Sequence, residues 1–393
     1  MFRLGWVTVV LIGIGAVQAP HVHALAQDCP PPARVGYLDF WDTTDFCKHT
    51  VPLEEIISGG PPPDGIPPID QPQFERIESA ANWLQPQSPV VAFAQNADAR
   101  AYPLGILTRH EIVNDEVAGI PVAVTFCPLC NAAMVFDRRV GDAVYRFGVS
   151  GNLRHSDLIM WDDVTKSWWQ QFTGEGIVGV HAGDQLESYP ALVVSFSEFA
   201  KQYPDGQVLS PERAGQGTNP YVGYDSDPEP FLFVGSLDTR LFATQRVLGI
   251  LLGGEAVAYP FPVPLGADGA PLHDYPYPTL ADERVINDTV GGFEVVAFWQ
   301  PGAASALDGR VIDDSRDVGM AALYDRMLDG RTLTFSLDAS GQITDDQTRS
   351  TWNIFGTAVA GELQGSQLQQ RLAFPHFWFA WAAFRPDTRI WGQ

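Results

Sequence analysis

The chain repeats itself, and this repetition constrains its fold more than any other feature of the sequence. The segment VVAFAQNADARAYPL from Val90 resembles VLGILLGGEAVAYPF from Val247. Likewise IVNDEVAGIPVAVTF from Ile112 resembles VINDTVGGFEVVAFW from Val285, and three further matches follow in the same order. Collinear matches of this kind indicate an internal duplication. The sequence therefore predicts two homologous repeats, residues 89–210 and 246–393, of which the second is degenerate.

Both predicted repeats carry short runs of β-branched and aromatic residues bounded by turn residues, such as VAVTF, AMVF, VVAFW and TLTFSL, which are typical of strands. Gly119 and Gly292 fall where a tight turn would join two strands. Helices are fewer: SFSEFAKQYP has a capping box that begins at Ser195, and FERIESAANWL from Phe74 has helical apolar spacing. These patterns predict a strand-dominated α+β fold, with barrel- or sandwich-like halves packed into one body.

The first residues predict export. Met1-Phe2-Arg3 is basic, residues 4–17 are mostly apolar, and Ala24-Leu25-Ala26 supplies a small-residue cleavage site, which together describe a signal peptide over residues 1–26. The apolar run is shorter than the roughly 20 residues of a membrane span, so we expect no integral span after cleavage. The destination would be periplasmic or extracellular. A net charge of −23 argues against a nucleic-acid partner.

Three further segments complete the predicted organisation. Residues 27–57 hold Cys29 and Cys47, which we expect to form a disulfide because export permits one. Residues 58–88 contain the Pro-rich stretch SGGPPPDGIPPIDQP, interpreted as a semi-rigid arm, and the helix from Phe74. Residues 211–245 are dense in Pro, Gly and Asp and are interpreted as a connector between the repeats.

The comparison of the two repeats indicates where chemistry resides. Cys127 aligns with Gln300 and His110 with Glu283, while the turn signals around them are kept in both copies. Because the second copy has polar residues at these positions, we expect them to face solvent or a cleft. Cys127 and Cys130, three positions apart in a turn, can point the same way. This spacing allows a disulfide, a dithiol or two sulfur ligands to one metal.

The first hypothesis is a transition-metal site made by Cys127, Cys130 and His110. The hairpin over residues 112–126 could bring the histidine to the thiols. Two thiolates and one imidazole leave a coordination position open, as in catalytic zinc or copper sites. Met134 could add a thioether, which would favour copper. The expected cofactor is a copper or zinc ion, and the expected partner a small-molecule or metal ligand.

Two alternatives stay open at this point. In the first, the Cys127/Cys130 pair serves a thiol-disulfide oxidoreductase, since a C-x-x-C thiol can have a lowered pKa. Against this, no βαβ pattern surrounds the motif and no apolar-periodic helix begins at Cys130. In the second, the protein is a non-catalytic ligand-binding or scaffold protein and the pair is a structural disulfide.

A second stretch, FGVSGNLRHSDLIMWDDVTKSWWQQFTGE from Phe147, concentrates hydrogen-bonding groups. Arg154 and His155 within it have no counterpart in the second repeat. A Ser-His-Asp triad is not predicted here, because three close neighbours in sequence rarely reach triad geometry. His181 and His376 are expected to be structural. We predict that the cleft beside the metal is lined by Ser150, Asn152, Arg154, His155, Asp157, Trp169 and Gln170.

These motifs together resemble a known family. AYPL, HEIVND, VTFCPLC, the stretch from Phe147 and the ending FWFAWAAFRPDTRIW are similar to the family known as domain of unknown function 3179. The resemblance runs from DGIPPID to the end of the chain and leaves the segment with Cys29 and Cys47 outside. The resemblance implies that the functional residues are His110, Cys127, Cys130 and the Ser150-to-Gln170 stretch. It does not imply any particular biochemical activity.

Overall fold

Strands dominate the structure, a computed structural model that describes residues 29–211, 218–266 and 268–393. This confirms the predicted strand-rich class. The expected signal peptide lies outside the described residues. The first elements are β1 (Ile56–Ser58), β2 (Phe74–Arg76) and α1 (Ile77–Ala80).

The remaining elements follow in two series that have similar order. The first series is β3 (Pro89–Gln95), β4 (Asp98–Pro103), α2 (Leu104–His110), β5 (Ile112–Val117), β6 (Ile120–Cys127), β7 (Ala132–Asp137), β8 (Arg139–Val140), β9 (Ala143–Val144), β10 (Phe147–Arg154), β11 (Asp157–Asp162), β12 (Trp168–Gln170), β13 (Gly176–Val178), β14 (Ser188–Tyr189), β15 (Leu192–Ser195), α3 (Phe196–Gln202) and β16 (Gln207–Leu209). The second is β17 (Arg246–Leu252), β18 (Glu255–Pro260), α4 (Leu280–Glu283), β19 (Val285–Val290), β20 (Phe293–Gln300), β21 (Met320–Asp325), β22 (Met327–Leu328), β23 (Arg331–Thr332), β24 (Phe335–Leu337), β25 (Ile343–Asp345), β26 (Thr351–Trp352), β27 (Ala358–Ala360), β28 (Ala373–Phe377), α5 (Trp378–Phe384) and β29 (Arg389–Ile390).

The sheets of the two series have the same strand order. Strands β15-β3-β4-β16 form one sheet and β28-β17-β18-β29 another, each with its last pair parallel. The antiparallel ladder β5-β6-β7 has its match in β19-β20-β21, and the meander β10 to β13 has its match in β24 to β27. The tight turns match as well, because Gly119 (φ 79°) and Gly292 (φ 85°) both adopt the left-handed backbone that glycine tolerates.

Buried polar networks also occur in matching places. Asp162 accepts a hydrogen bond from Trp169 Nε1 at 2.9 Å, and Asp345 accepts one from Trp352 Nε1 at 3.1 Å. In each case a threonine three residues after the aspartate donates both its backbone N–H and its hydroxyl to that carboxylate. These hydrogen bonds fix the ends of the two meanders, because each buried carboxylate ties a tryptophan and a threonine of the meander to the same point.

The last helix of each series packs on strands of its own series and reaches the other series at its C-terminal end. Tyr203, which follows α3, packs edge-on against Phe355 of the second series with ring centroids 5.5 Å apart. Phe384 of α5 stacks on Phe172 of the first series at 4.3 Å. Strands behave in the same way, since β28 lies against β7 and β15 against β21. The core is therefore shared between the two series.

The two helix predictions fared differently. The predicted helix from Phe74 is wrong in its first turn, because Phe74–Arg76 is strand β2, which pairs with β16. Only Ile77–Ala80 is helical, so pairing with a distant strand has overridden the local pattern. Helix α3 begins after Ser195 as predicted, and the Ser195 hydroxyl accepts a hydrogen bond from the Glu198 backbone N–H at 3.3 Å.

The N-terminal segment packs against the first series. Cys29 and Cys47 form the expected disulfide. Trp41 is buried at 2% exposure and packs edge-on against Trp168 at 5.2 Å and Trp161 at 6.1 Å. Strand β1 then pairs with β10, so this segment covers the outer face of the meander that carries the predicted cleft residues.

The Pro-rich stretch is held along the first series rather than projecting as an arm. Asp64 and Asp70 both form ion pairs with Arg146, at 2.7 and 3.0 Å. Asp64 also accepts a hydrogen bond from the Val149 backbone N–H at 3.0 Å, and Ile69 forms a bridge to Val113. Its prolines keep it extended while these contacts fix its path.

Candidate metal centre

The two cysteines lie where strand β6 turns into strand β7. Cys127 is the last residue of β6, and Cys130 lies in the turn before β7. Both are free thiols in the structure and are buried, at 2% and 0% exposure. These positions were expected to face solvent or a cleft, and the structure excludes solvent for the two thiols. The structure encloses both sulfurs completely within the protein.

Both thiols face the turn of the β10–β11 hairpin. The Cys127 thiol donates to the Ser156 carbonyl oxygen at 3.7 Å, and the Cys130 thiol donates to the His155 carbonyl oxygen at 3.9 Å. His155 (φ 53°) and Ser156 (φ 63°) are both left-handed, which is the pattern of a type I′ two-residue turn. Such turns favour Asn and Gly. Any other residue type in this left-handed conformation raises the free energy of the folded state by about 1–2 kcal/mol.

Local contacts hold this strained turn in place. The Ser156 hydroxyl donates to the Phe231 carbonyl oxygen at 2.8 Å. The His155 ring packs edge-on against Phe384 of α5 at 5.3 Å. Strain of this kind persists only where the surroundings over-determine it, and it is concentrated at functional sites. The connector and the last helix thus jointly fix the backbone that faces the thiols.

Asp157 follows the turn directly and completes a three-residue cluster. The Sγ atoms of Cys127 and Cys130 and a carboxylate oxygen of Asp157 all lie within 4.8 Å of one another. Asp157 is fully buried, and its Oδ2 accepts hydrogen bonds from Gln170 Nε2 at 2.6 Å and from the Phe172 backbone N–H at 2.9 Å. Its Oδ1 is buried with no hydrogen-bond partner among the described residues.

Glu111 is a fourth acidic group near this cluster, and the sequence analysis did not select it. It caps the C-terminus of α2 with a positive φ of 57° and is 7% exposed. The matching cap of α4 is Arg284, with φ 59°. Burial, followed by the charge of Asp157, raises the pKa of Glu111 to about 8. The alignment of the two series could have pointed to Glu111, because it matches this acidic residue with the basic residue Arg284.

The cluster is acidic and lacks a compensating cation. Burial raises the pKa of Asp157 to about 7, although its hydrogen bonds limit the rise. Burial likewise raises the pKa of the Cys127 thiol, and that of Cys130 still further. Among the described residues, no arginine, lysine or histidine forms an ion pair with Asp157 or Glu111. The groups therefore retain protons unless a cation replaces them.

The basic side chains of the same hairpin lie against an acidic residue outside the cluster. Arg154 Nε lies 2.7 Å from a Glu55 carboxylate oxygen, and His155 Nε2 lies 3.4 Å from the same oxygen. Glu55 belongs to the N-terminal segment, directly before β1. The predicted cleft residues Arg154 and His155 thus anchor that segment by their side chains, while the His155 carbonyl faces the thiols.

His110 is not a member of the three-residue cluster. It ends α2, and its Nδ1 donates to the Pro67 carbonyl oxygen at 2.7 Å. The structure thus brings together two of the three predicted ligands and adds Asp157, which the sequence analysis had assigned to the cleft lining. Met134 is also absent from the cluster and lines a neighbouring cavity instead.

The other predicted lining residues mostly support the hairpin. The Ser150 hydroxyl donates to the Ile159 carbonyl oxygen across the hairpin, and Asn152 is buried at its bulge. Trp169 donates to Asp162, and Gln170 alone of this group reaches the cluster, through Asp157.

The connector covers the turn that carries the cysteines. The Tyr224 hydroxyl donates to the Leu129 carbonyl oxygen at 3.1 Å. Burial raises the pKa values of Tyr221 and Tyr224, and the charges of Glu111 and the thiols raise them further. From the second series, the Phe377 backbone N–H donates to the Cys130 carbonyl oxygen at 2.8 Å. The connector and the last strand of the second series thus enclose the site.

The fold and the site define a strand-rich protein with an enclosed thiol–carboxylate centre. The chain belongs to the family described as "Protein of unknown function (DUF3179)", whose model matches residues 63–388, in agreement with the resemblance noted from the motifs. The disulfide-bonded segment precedes the matched region. No curated protein and no solved structure matches the chain. Among the described residues, no helix combines the length and apolar character needed to cross a bilayer.

Proposed function

We propose that this protein binds a transition-metal ion through Cys127, Cys130 and Asp157. The observation that carries the proposal is the cluster itself, in which three ligand atoms lie within 4.8 Å of one another and one carboxylate oxygen is buried without a partner. A bound cation would satisfy that oxygen and stabilise both thiolates. Asp157 takes the place that the sequence analysis gave to His110.

Zinc fits this set of donors better than copper. Thiolates suit both Zn²⁺ and Cu(I), whereas a carboxylate ligand suits Zn²⁺ and harder ions. The thioether that would favour copper, Met134, is not a member of the cluster. Copper therefore remains the second candidate.

Three protein ligands would leave one coordination position for water or substrate, as in catalytic zinc sites. Glu111 is the remaining buried acid at the site, and its pKa of about 8 without metal suits a group that accepts and returns protons near neutral pH. Because a carboxyl group with this pKa is mostly protonated at neutral pH, the proposal includes a role for Glu111 as a proton donor near the metal.

Export is part of the proposal. The Cys29–Cys47 disulfide supports it, because disulfides persist mainly in oxidising compartments. Duplication is also part of it: matching sheet orders support two repeats of common origin. The hairpin with Asp157 spans residues 147–162, whereas its match spans 335–345, so it is five residues longer. We infer that the site arose in the first repeat by extension of this hairpin.

The observations count against the alternative of a thiol-disulfide oxidoreductase. That chemistry needs a thiol with a lowered pKa and access to a partner, whereas both thiols are buried and have raised pKa values. The alternative of a structural disulfide requires the two sulfurs to be bonded, and they are free in the structure.

Metal analysis of mature protein, purified from its native compartment, tests the proposal. We expect close to one zinc per chain, and loss of the metal in a Cys127→Ser, Cys130→Ser variant and in Asp157→Asn. His110→Gln is the matched control and should keep its metal. Sub-stoichiometric metal that the cysteine substitutions do not change would refute the proposal. Loss of metal in His110→Gln but not in Asp157→Asn would replace the ligand set with that of the sequence analysis.

A further inference from the structure

A cavity of about 150 Å³ lies against the last helix and is lined in part by Phe172. Its walls are mainly apolar and combine residues of both series. Two basic side chains, His376 of β28 and Arg385 directly after α5, also line it. We call this space the α5 cavity; its main lining residues are Met134, Phe172, Phe374, His376, Trp381 and Arg385.

Both basic side chains have unused hydrogen-bonding groups. His376 is 2% exposed and its Nδ1 has no partner among the described residues. Arg385 is half-buried; its Nε has no partner, and its Nη1 donates only to the Phe384 carbonyl oxygen at 2.9 Å. No carboxylate among the described residues lies within ion-pair distance of this guanidinium, although Glu175 is near enough to influence its pKa.

The matching place in the other half shows what these residues replace. Alignment of the two series matches Tyr203-Pro204-Asp205 with Arg385-Pro386-Asp387. In this alignment Tyr203 matches Arg385, and Val194 matches His376. Tyr203 packs on Phe355, and Val194 is buried at 1% exposure. An apolar core thus fills the space in one half. In the other half a cavity remains, with a cation and an imidazole in its wall.

Burial of unpaired polar groups is costly, so their presence here needs an explanation. Burial and the nearby Arg385 lower the pKa of His376 to about 3, so the imidazole is neutral and can donate one N–H. A neutral donor beside an uncompensated guanidinium suits an anion. The aromatic faces of Phe172 and Trp381 suit an apolar group attached to that anion.

We propose that the α5 cavity binds a small organic carboxylate, with its carboxylate on Arg385 and His376 and its apolar part against Phe172 and Trp381. Arginine is the side chain best suited to hold a carboxylate, through two parallel hydrogen bonds. The volume of about 150 Å³ admits a ligand of about the size of benzoate, since an apolar protein cavity of about this volume binds benzene. This inference depends on residues other than those of the proposed metal centre.

The cavity and the metal centre share one residue. The Phe172 ring lines the cavity, and the Phe172 backbone N–H donates to Asp157 Oδ2 at 2.9 Å. A ligand in the cavity therefore lies one residue away from a proposed metal ligand.

Calorimetric titration of the full mature protein with benzoate, and with benzamide as the neutral analogue, tests this inference. We expect saturable 1:1 binding of benzoate and at least tenfold weaker binding of benzamide. Arg385→Gln should weaken benzoate binding at least tenfold. Arg349→Gln, whose side chain is 76% exposed far along the chain from the cavity, is the control and should bind like the wild type.

Two further variants make the outcome decisive. His376→Val introduces the residue of the matching strand and should weaken benzoate binding without unfolding the protein, as circular dichroism would verify. The Cys127→Ser, Cys130→Ser variant should bind benzoate unchanged even if metal is lost, which separates this inference from the metal proposal. Absence of saturable binding, equal affinity for benzamide, or unchanged affinity in Arg385→Gln would each overturn it.

Discussion

Replacement of Asp157 by asparagine should change how the stability of the metal-free protein depends on pH. The carboxyl group is fully buried, and its pKa is raised from 3.8 to about 7, chiefly by burial. Asparagine has nearly the same shape, can accept the same hydrogen bonds from Gln170 and Phe172, and does not titrate. The substitution therefore removes the protonation equilibrium while it leaves most of the packing in place.

The size and sign of the effect follow from this pKa. The folded protein binds the proton more tightly than the unfolded chain, so the free energy of unfolding falls as pH rises from about 4 to about 7 and then levels off. A rise of about three pKa units corresponds to about 4 kcal/mol, as an upper limit. Between pH 4 and pH 8, the free energy of unfolding of the metal-free wild type should fall by up to this amount relative to that of the Asp157→Asn variant.

Urea denaturation at several pH values, with a chelator present, measures this difference. Asp345→Asn is the matched control: burial raises the pKa of Asp345, but hydrogen bonds from Trp352 and Thr348 outweigh it and lower the pKa overall. Stability from Asp345 is therefore present above about pH 4 and is lost as pH falls, the opposite trend. With zinc added, wild type should instead gain stability as pH rises, because binding displaces protons. A pH-independent difference between metal-free wild type and Asp157→Asn would refute the reasoning.

Two other perturbations test the elements that surround the site. Removal of the disulfide in a Cys29→Ser, Cys47→Ser variant should cost about 3 kcal/mol, given its 18-residue separation; an unchanged melting temperature in thermal denaturation would contradict this. Tyr224→Phe deletes the hydrogen bond to the Leu129 carbonyl and should cost about 1 kcal/mol. It should also speed alkylation of Cys127 and Cys130, followed by mass spectrometry, and an unchanged alkylation rate would show that the connector does not protect them.

Much of the fold could be predicted because the two similar parts of the sequence support each other's interpretation. A weak strand signal in one copy, such as VAVTF, gains weight when VVAFW occurs at the same distance from a shared turn. The same comparison located the cysteines. The helix from Phe74 failed because its first residues pair with β16, about 130 positions away, and single-sequence periodicity carries no information about such pairing.

The ligand set was predicted only in part, for a geometric reason. His110 is the last residue of α2 and Glu111 is its C-cap with a φ of 57°, so the two side chains leave the backbone in different directions. One residue can face the protein interior and the other cannot. The structure buries Glu111 and directs the His110 ring to Pro67. Histidine is a commoner metal ligand than glutamate, but the position of the helix axis decides which of the two side chains faces the interior. That position depends on packing across the whole domain.

The α5 cavity could not have been anticipated from local sequence. His376 and Arg385 belong to the last strand and helix, whereas Met134 and Phe172 come from the first series. Their proximity depends on how the two series pack against each other, with β28 against β7. Sequence analysis therefore treated His376 as a structural residue, which is the ordinary role of a buried imidazole in an aromatic tail.

The contacts of the last strand and helix with the cysteine turn also bear on the order of events during biosynthesis. Cys130 receives a backbone hydrogen bond from Phe377, and the strained hairpin turn packs against Phe384, so neither contact exists until these residues have left the ribosome. A nascent chain that has not yet reached Phe377 would leave the sulfur pocket open on one side. If the site binds an ion as proposed, loading of that ion would therefore be a late event.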